Sequence, residues 1–248
     1  MDKHNHKLII PGYGGIVVAF SLILSLAFSN TFNNDLINKI HSKPEIVRRA
    51  TVYTESNREI PLKKSMDTNS DNIALLRRGE EITLLESKVN WFHVETSDGK
   101  TGYIDNRNVK TNHLPPVKFH KSMKDRIMIS QERQKLYIIK DNEVIREFVV
   151  STGLENTQTP NGLFIVEHGM RGTWFFSNKY QQGGRYWIGF RGNYLFHSVP
   201  MDRNQNIIPE EYKRIGKPAS HGCIRLYLDD AKWLYDNIID GTPVLIRP

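Results

Sequence analysis

Residues 126–153 read RIMISQERQKLYIIKDNEVIREFVVSTG, in which apolar and polar side chains alternate over three short runs. Alternation with a period of two is typical of half-buried β-strands. The pattern predicts strands over 127–130, 135–139 and 147–150. Asp141 and Asn142 separate the second run from the third, and both residue types favour tight turns. This part of the chain is therefore predicted to consist of consecutive short strands.

The residues that follow continue the β pattern and add one helix. Two further strands are predicted over 162–166 and 244–246. Residues 229–237 instead place Ala231, Leu234 and Ile238 on one helical face. The fold class is therefore predicted to be mostly β.

Residues 45–112 carry a second β pattern. The runs GEEITLLES and NWFHVETSDGKTGYI read as strands, and Asp98-Gly99 is a strong hairpin-turn pair. This pattern resembles a small, barrel-like bacterial SH3 domain, and such domains are similar to wall-binding modules. Trp91 and Tyr103 are therefore candidates for contact with a wall polymer. A structural role is the alternative for both, and for Trp91 it is preferred.

The N-terminal segment is apolar over 8–28 and follows two lysines. Its length of about twenty residues suits one membrane crossing, so residues 1–30 are predicted to be a cytoplasmic tip and a transmembrane helix. A cleaved signal peptide is the alternative. Either leader would place the rest of the chain outside the cytoplasm, as a single-pass membrane protein or, after cleavage, as a secreted one. Residues 31–44 are then expected to be a stalk, and 113–124 a linker.

Composition narrows the classes of partner. The 248 residues carry a formal net charge of +7, which favours anionic partners. The basic residues are spread along the chain, so nucleic acid is not expected as a partner. The single cysteine excludes an intrachain disulfide. That cysteine is either a buried small hydrophobe or a free, reactive thiol.

The neighbours of the cysteine favour the reactive thiol. It stands in Ser220-His221-Gly222-Cys223-Ile224-Arg225-Leu226. A thiol with a pKa of about 8.5 needs a base or a positive field to act as a nucleophile at neutral pH. In an extended backbone Cys223 and Arg225 share a face, while Ile224 and Leu226 point to the core. Gly222 permits a tight turn whose free amides could bind an oxyanion.

A second histidine lies upstream of this motif. His197 ends the apolar run Tyr194-Leu195-Phe196 and precedes Ser198. This position is typical of a base delivered to the rim of a sheet, and a structural histidine is the alternative. The sequence spacing alone does not establish that His197 meets Cys223.

These motifs occur in an order that resembles the catalytic domain of the L,D-transpeptidase family (YkuD type) over residues 125–248. The matching elements are the opening strands of 126–153, Thr159-Pro160-Asn161-Gly162-Leu163-Phe164, Phe196-His197-Ser198, the cysteine motif and Gly241-Thr242-Pro243-Val244. The resemblance implies a β-sandwich with one or two short helices. It also implies a cysteine acyltransferase that forms 3→3 cross-links between peptidoglycan stem peptides through a thioester, without a metal or organic cofactor.

The resemblance also implies a role for each matching residue. Cys223 would be the nucleophile, His197 its general base, and Ser198 the residue that orients His197. His221, Gly222 and Ser220 would shape the turn and support the oxyanion site. Arg225 would hold either the motif or a substrate carboxylate, for which its planar fork is suited. Residues 169–192 are expected to be a lid or groove wall, with Tyr186 and Trp187 as substrate contacts, or else an ordinary long β-hairpin.

Three alternatives differ in function. The same site could use water as the acceptor, which would make the protein an L,D-carboxypeptidase. His197, His221 and Cys223 have the ligand types of a zinc site. The protein could also be a non-catalytic wall-binding protein.

Overall fold

The computed structural model describes residues 48–56, 58–115, 117 and 123–248. The predicted membrane anchor at 1–30 and the stalk at 31–44 lie outside these residues. No helix within the described residues is long and apolar enough to cross a membrane. Residues 48–248 form one compact unit.

The first part of this unit is a small all-β domain. Its seven strands are paired in the order β3-β2-β6-β5-β4-β1-β7. They span Arg49–Val52 (β1), Ile60–Lys63 (β2), Asn72–Leu76 (β3), Glu81–Lys88 (β4), Trp91–Thr96 (β5), Thr101–Asp105 (β6) and Val109–Lys110 (β7). Alternate side chains of these strands form a core around Leu62, Phe92 and Ile104, as the period-two pattern predicts.

The two aromatic residues predicted to contact a wall polymer differ in position. Trp91 is only 8% exposed and belongs to the buried residues, so the preferred structural role is correct and a wall contact is not. Tyr103 is partly exposed and stacks on His93 with ring centroids 5.0 Å apart. A wall contact of this domain would therefore involve the Tyr103 face rather than Trp91.

The second part of the unit contains nine strands and two helices. The strands are Arg126–Ser130 (β8), Lys135–Lys140 (β9), Glu143–Ser151 (β10), Gly162–Ile165 (β11), Arg171–Ser177 (β12), Gln182–Arg191 (β13), Tyr194–Ser198 (β14), Ile224–Leu226 (β15) and Pro243–Arg247 (β16). The helices are Pro209–Tyr212 (α1) and Leu228–Asn237 (α2). Both Asp141 and Asn142 adopt positive φ in the β9–β10 turn, which confirms the predicted tight turn.

The nine strands pair in the order β11-β16-β8-β9-β10-β15-β14-β13-β12 and fold around one core. Phe164 of β11 meets Phe190 of β13 edge to face, with ring centroids 5.7 Å apart, although their strands lie far apart in the pairing order. The sandwich is thus made by one sheet that folds over itself. Ala231 and Leu234 of α2 are buried against this core, which confirms the predicted helix and its apolar face.

Candidate active site

Two neighbouring parallel strands bring the predicted site residues together. β14 and β15 pair with His197 opposite Arg225 and Phe196 opposite Ile224. Because strand side chains alternate, Phe196 and Ile224 enter the core while His197 and Arg225 share the other face. Cys223 immediately precedes β15. Cys223, His197 and Arg225 line one cavity of about 530 Å³.

The position of His197 fixes its tautomer. Its Nδ1 lies 2.6 Å from the backbone carbonyl of Ser198. A carbonyl only accepts, so Nδ1 carries the proton and Nε2 keeps its lone pair. The Phe175 ring packs nearly perpendicular to the imidazole, with ring centroids 5.2 Å apart. The imidazole of His197 is therefore oriented by the carbonyl of Ser198, in agreement with the expectation that Ser198 orients it.

The surroundings of His197 keep it neutral. Its pKa is lowered to about 3, mainly by burial and then by the charge of Arg225, and the Ser198 hydrogen bond has a smaller opposing effect. Gly184 makes this burial sterically possible, because a Cβ there would lie 2.6 Å from Nδ1. His197 can thus accept a proton in a reaction without being protonated at rest.

Cys223 meets two backbone groups of the β13–β14 turn and β14. Its thiol donates to the carbonyl of Asn193 over 3.5 Å. The packing around the sulfur raises the thiol pKa, whereas a hydrogen bond from the Leu195 N–H and the charge of Arg225 act in the opposite direction. The raised pKa of Cys223 and the lowered pKa of His197 together favour a neutral thiol and a neutral imidazole in the same cavity. The site is therefore suited to general-base activation during attack rather than to a preformed ion pair.

The turn that carries Cys223 is held by three side-chain hydrogen bonds. Ser220 Oγ donates to the Cys223 carbonyl over 2.6 Å and accepts the Gly222 N–H over 3.0 Å. Thr159 Oγ1 donates to the Gly222 carbonyl over 2.8 Å. Gly222 has a φ of +111°, and a Cβ there would lie 2.4 Å from the ring of Tyr194. Gly222 thus shapes the turn as predicted, but its own amide is engaged and is not a free oxyanion donor.

Arg225 is held by protein groups on both ends of its fork. Nη1 donates to Glu211 Oε2 over 2.5 Å and to the Ala219 carbonyl over 3.1 Å, while Nη2 donates to Gln182 Oε1 over 3.3 Å. Nε is buried and has no hydrogen-bond partner among the described residues. Of the two predicted roles, this geometry favours holding the motif, because both N–H groups of Nη1 and one of Nη2 already bind protein acceptors.

His221 is exposed at the cavity and pairs with an aromatic residue. Its ring stacks on Tyr180 with centroids 4.2 Å apart and an interplanar angle of 19°. Tyr180 belongs to the turn between β12 and β13, and both residues line the cavity. His221 therefore contributes to a cavity wall, whereas His197 is the buried histidine of the site.

The segment 169–192 is a β-hairpin that also forms a wall of the cavity. Its strands β12 and β13 pair antiparallel, so the segment is a β-hairpin and a groove wall at once, which were the two predicted alternatives. Trp187 lines the cavity, as predicted. Tyr186 does not: it has a φ of +54° and packs against Tyr235 of α2, with ring centroids 5.9 Å apart. Tyr186 was predicted to contact the substrate, and its position away from the cavity contradicts that prediction.

Several supporting residues were not predicted from the sequence. Glu211 and Gln182 hold Arg225, Gly184 leaves room for His197, and Thr159 bonds the turn that carries Cys223. Thr159 was identified only as part of a motif, and the polar residues are distant in sequence from their partners. Across the described ranges, no group of three or more His, Cys, Asp or Glu side chains is arranged to hold a metal ion.

Comparison with known proteins agrees with this arrangement. Residues 124–246 match the L,D-transpeptidase catalytic domain (YkuD), and residues 62–110 match the bacterial SH3 domain (SH3_3). The chain carries an L,D-transpeptidase catalytic domain preceded by a bacterial SH3 domain. Both recognised motif sets, around His197 and around Cys223, lie within the matched catalytic region.

Two Bacillus subtilis proteins named as L,D-transpeptidases are similar to this catalytic domain. YciB is 46% identical over 125 residues, which are 48% of this chain and 64% of YciB. YqjB is 27% identical over 132 residues, which are 48% of this chain and 69% of YqjB. The chain thus spans less than two thirds of YciB. The crystal structure of an L,D-transpeptidase from Stackebrandtia nassauensis is 24% identical, with a TM-score of 0.42 over 53% of this chain and 60% of that one.

Proposed function

We propose that this protein is a peptidoglycan L,D-transpeptidase that forms 3→3 cross-links through a thioester on Cys223. The convergence of Cys223 and a neutral, oriented His197 in one cavity of an L,D-transpeptidase domain carries the proposal. A thiol next to a base that is itself oriented by a third group is the arrangement that nucleophilic catalysis requires.

The first half-reaction forms the acyl-enzyme. Nε2 of His197 takes the thiol proton as Cys223 Sγ attacks the carbonyl at the L-centre of the diamino acid in a tetrapeptide stem. The tetrahedral oxyanion forms beside the turn of residues 220–223, whose remaining amides are the expected donors. The carbon–nitrogen bond then breaks, and the departing D-alanine amine receives the proton from His197. One peptide bond is exchanged for one thioester, so no ATP is consumed.

The second half-reaction transfers the acyl group. The side-chain amine of a second stem attacks the thioester carbonyl and loses a proton to His197. Cys223 then leaves and regains its proton. Because the same imidazole serves both halves, its neutral resting state is suited to each attack.

The cavity walls support a peptide substrate. Phe175, Tyr180 and Trp187 provide aromatic surface, and Lys179 adds a positive charge at the same cavity. Stem peptides carry free carboxylates, which agrees with the net charge of +7. The wall lies outside the cytoplasm, so we place the catalytic domain there, with 1–30 as anchor or cleaved leader and a wall contact through the SH3 domain.

The test is incubation of the full-length protein with a disaccharide-tetrapeptide, followed by mass spectrometry of the products. We expect a cross-linked dimer with loss of one D-alanine, and no product from Cys223→Ala. Shortened monomers without a dimer would overturn the transfer reaction and identify an L,D-carboxypeptidase. Equal turnover by Cys223→Ala would overturn the assignment of the nucleophile.

A further inference from the structure

The SH3 domain contacts the catalytic domain through buried polar groups. The Asn90 N–H donates to the Leu163 carbonyl over 2.8 Å, and Asn106 Nδ2 lies 3.4 Å from the same oxygen. Asn106 is fully buried. Gly162 has no side chain where Asn106 approaches, since a Cβ there would lie 2.3 Å from Nδ2. The two domains therefore pack directly against each other at a junction formed by residues 90, 106, 162 and 163.

An ion pair crosses this junction beside the active site. Asp105, at the end of β6, binds Arg191 Nη2 from the end of β13 and accepts from Arg107 Nη2 over 2.8 Å. The side chains of Asp105 and Arg191 are 11% and 17% exposed. Burial alone would raise the pKa of Asp105, but hydrogen bonds from Arg107 and the charge of Arg191 bring it below its ordinary value. Asp105 is thus a carboxylate held between two guanidinium groups.

Arg191 leads directly into the turn that surrounds the nucleophile. The next residue, Gly192, donates its N–H to the Glu167 carboxylate over 3.0 Å. After it come Asn193, whose carbonyl accepts the Cys223 thiol, and Leu195, whose N–H bonds the sulfur. The ring of Tyr194 fills the space next to Gly222. The backbone groups that contact the sulfur are therefore two and four residues beyond an arginine anchored by the SH3 domain.

We propose that Asp105 of the SH3 domain is a positioning residue for Cys223, acting through Arg191 to fix the turn of residues 191–195 against the sulfur. The SH3 domain is then a structural part of the active site, and not only a module that brings the enzyme to its polymer. Asp105 does not touch the reacting atoms. Its effect passes through Arg191 and the backbone that follows it.

The proposal predicts a change in the ionisation of the thiol. Without Asp105, Arg191 loses its carboxylate partner, and its Nε already has no partner among the described residues. A buried guanidinium without a counter-charge moves toward water. The turn then shifts and the Leu195 N–H no longer stabilises the thiolate, so the apparent pKa of Cys223 rises. The thiolate fraction at neutral pH falls about tenfold for each unit of that rise.

The experiment is the rate of Cys223 alkylation by iodoacetamide in the full-length protein, followed by intact mass as a function of pH. Asp105→Asn and Arg191→Gln are each expected to move the midpoint of the profile to higher pH. Their double variant is expected to move it no further, because both changes remove one interaction. Arg191→Lys keeps the charge and is expected to keep the midpoint close to that of the wild type.

The control is Asp98→Asn, which removes an SH3-domain carboxylate from an ion pair with Lys100. Asp98 is 57% exposed, and we expect the midpoint to be unchanged. Unfolded molecules are alkylated as well, so each variant is assayed well below its own unfolding temperature, where the midpoint reports the pKa of the folded protein. A wild-type midpoint in Asp105→Asn, at whatever stability, would overturn the proposal.

This inference rests on the proposed function, but alkylation requires no stem peptide. If the midpoint shifts as expected while the wild type makes no product from the tetrapeptide, only the proposed function fails. If the wild type forms cross-links and the midpoint of Asp105→Asn is unchanged, only the role of Asp105 fails.

Discussion

The imidazole of His197 differs from an ordinary histidine in two measurable ways. It is only 5% exposed, and its pKa is lowered to about 3 by burial and by Arg225. The unfolded chain would bind a proton at this residue with a pKa of about 6.5. The same environment that supplies a neutral base therefore makes the folded state sensitive to acid.

We predict that His197 reduces stability as the pH falls. Below about pH 6.5 the unfolded state gains a proton that the folded state does not bind until about pH 3. The free energy of unfolding should thus fall by about 1.4 kcal/mol for each pH unit in this window. Urea denaturation of the wild type and of His197→Gln at several pH values measures the difference. Parallel pH dependences in the two proteins would contradict the prediction.

Gly184 provides a steric test of the position of His197. An alanine Cβ at residue 184 would lie 2.6 Å from Nδ1 and would displace the ring. We expect Gly184→Ala to lower kcat by about tenfold or more, since misplacing a catalytic base is costly. Gly189→Ala is the matched control on the same strand: its Cβ would meet Met170 at 2.9 Å instead. Equal losses of kcat in the two variants would argue against a specific effect on His197.

Among the elements, those with regular alternation were predicted and those without it were not. β8 and β9 repeat with a period of two and were predicted to within one residue. The four-residue α1 is too short to show a helical period, so neither the helix nor its Glu211 was predicted. In β13 the positive φ of Tyr186 interrupts the alternation. The sequence therefore could not show that Trp187, and not Tyr186, faces the cavity.

The β12–β13 hairpin meets the nucleophile loop through Tyr180 and His221. A stacked aromatic pair contributes about 0.5–1.5 kcal/mol beyond the area it buries. We expect Tyr180→Ala to raise KM for the tetrapeptide by about two- to tenfold, because one cavity wall loses its support. The rate of Cys223 alkylation by iodoacetamide should not fall, since this small reagent does not depend on the cavity wall for binding.

Tyr180→Phe is the control for this prediction, because it keeps the ring and should keep the wild-type KM. A lower kcat with an unchanged KM in Tyr180→Ala would contradict the role of the stack as a substrate wall.

At the scale of the whole molecule, the junction between the SH3 and catalytic domains lies outside what the sequence could predict. Both domains were identified from their own motifs, and residues 113–124 were expected to act as a linker. The contacts that join them connect residues far apart in the chain, such as Asn106 with Leu163. Gly162 was predicted as part of a motif that resembles the family's signature, but its lack of a side chain also makes room for Asn106 at the junction.

We predict that Gly162→Ala destabilises the protein through this junction. The new Cβ would meet Asn106 at 2.3 Å, and the φ of +129° adds backbone strain. We expect a loss of about 2–4 kcal/mol in the free energy of unfolding. Gly169→Ala is the control, because Gly169 has a φ of +69° but nothing within 4 Å of its Cβ position. Similar losses in both variants would assign the effect to backbone strain alone.

The central claim is that Cys223 is a nucleophile served by His197. Intact-mass spectrometry after incubation with a carbapenem tests it most directly, because opening of the strained ring acylates a nucleophile and no atoms leave. We predict a single adduct that adds the full mass of the carbapenem and maps to Cys223. It should form about a hundredfold more slowly in His197→Gln and not at all in Cys223→Ala. A wild-type protein without the adduct, or an adduct that persists in Cys223→Ala, would contradict the account.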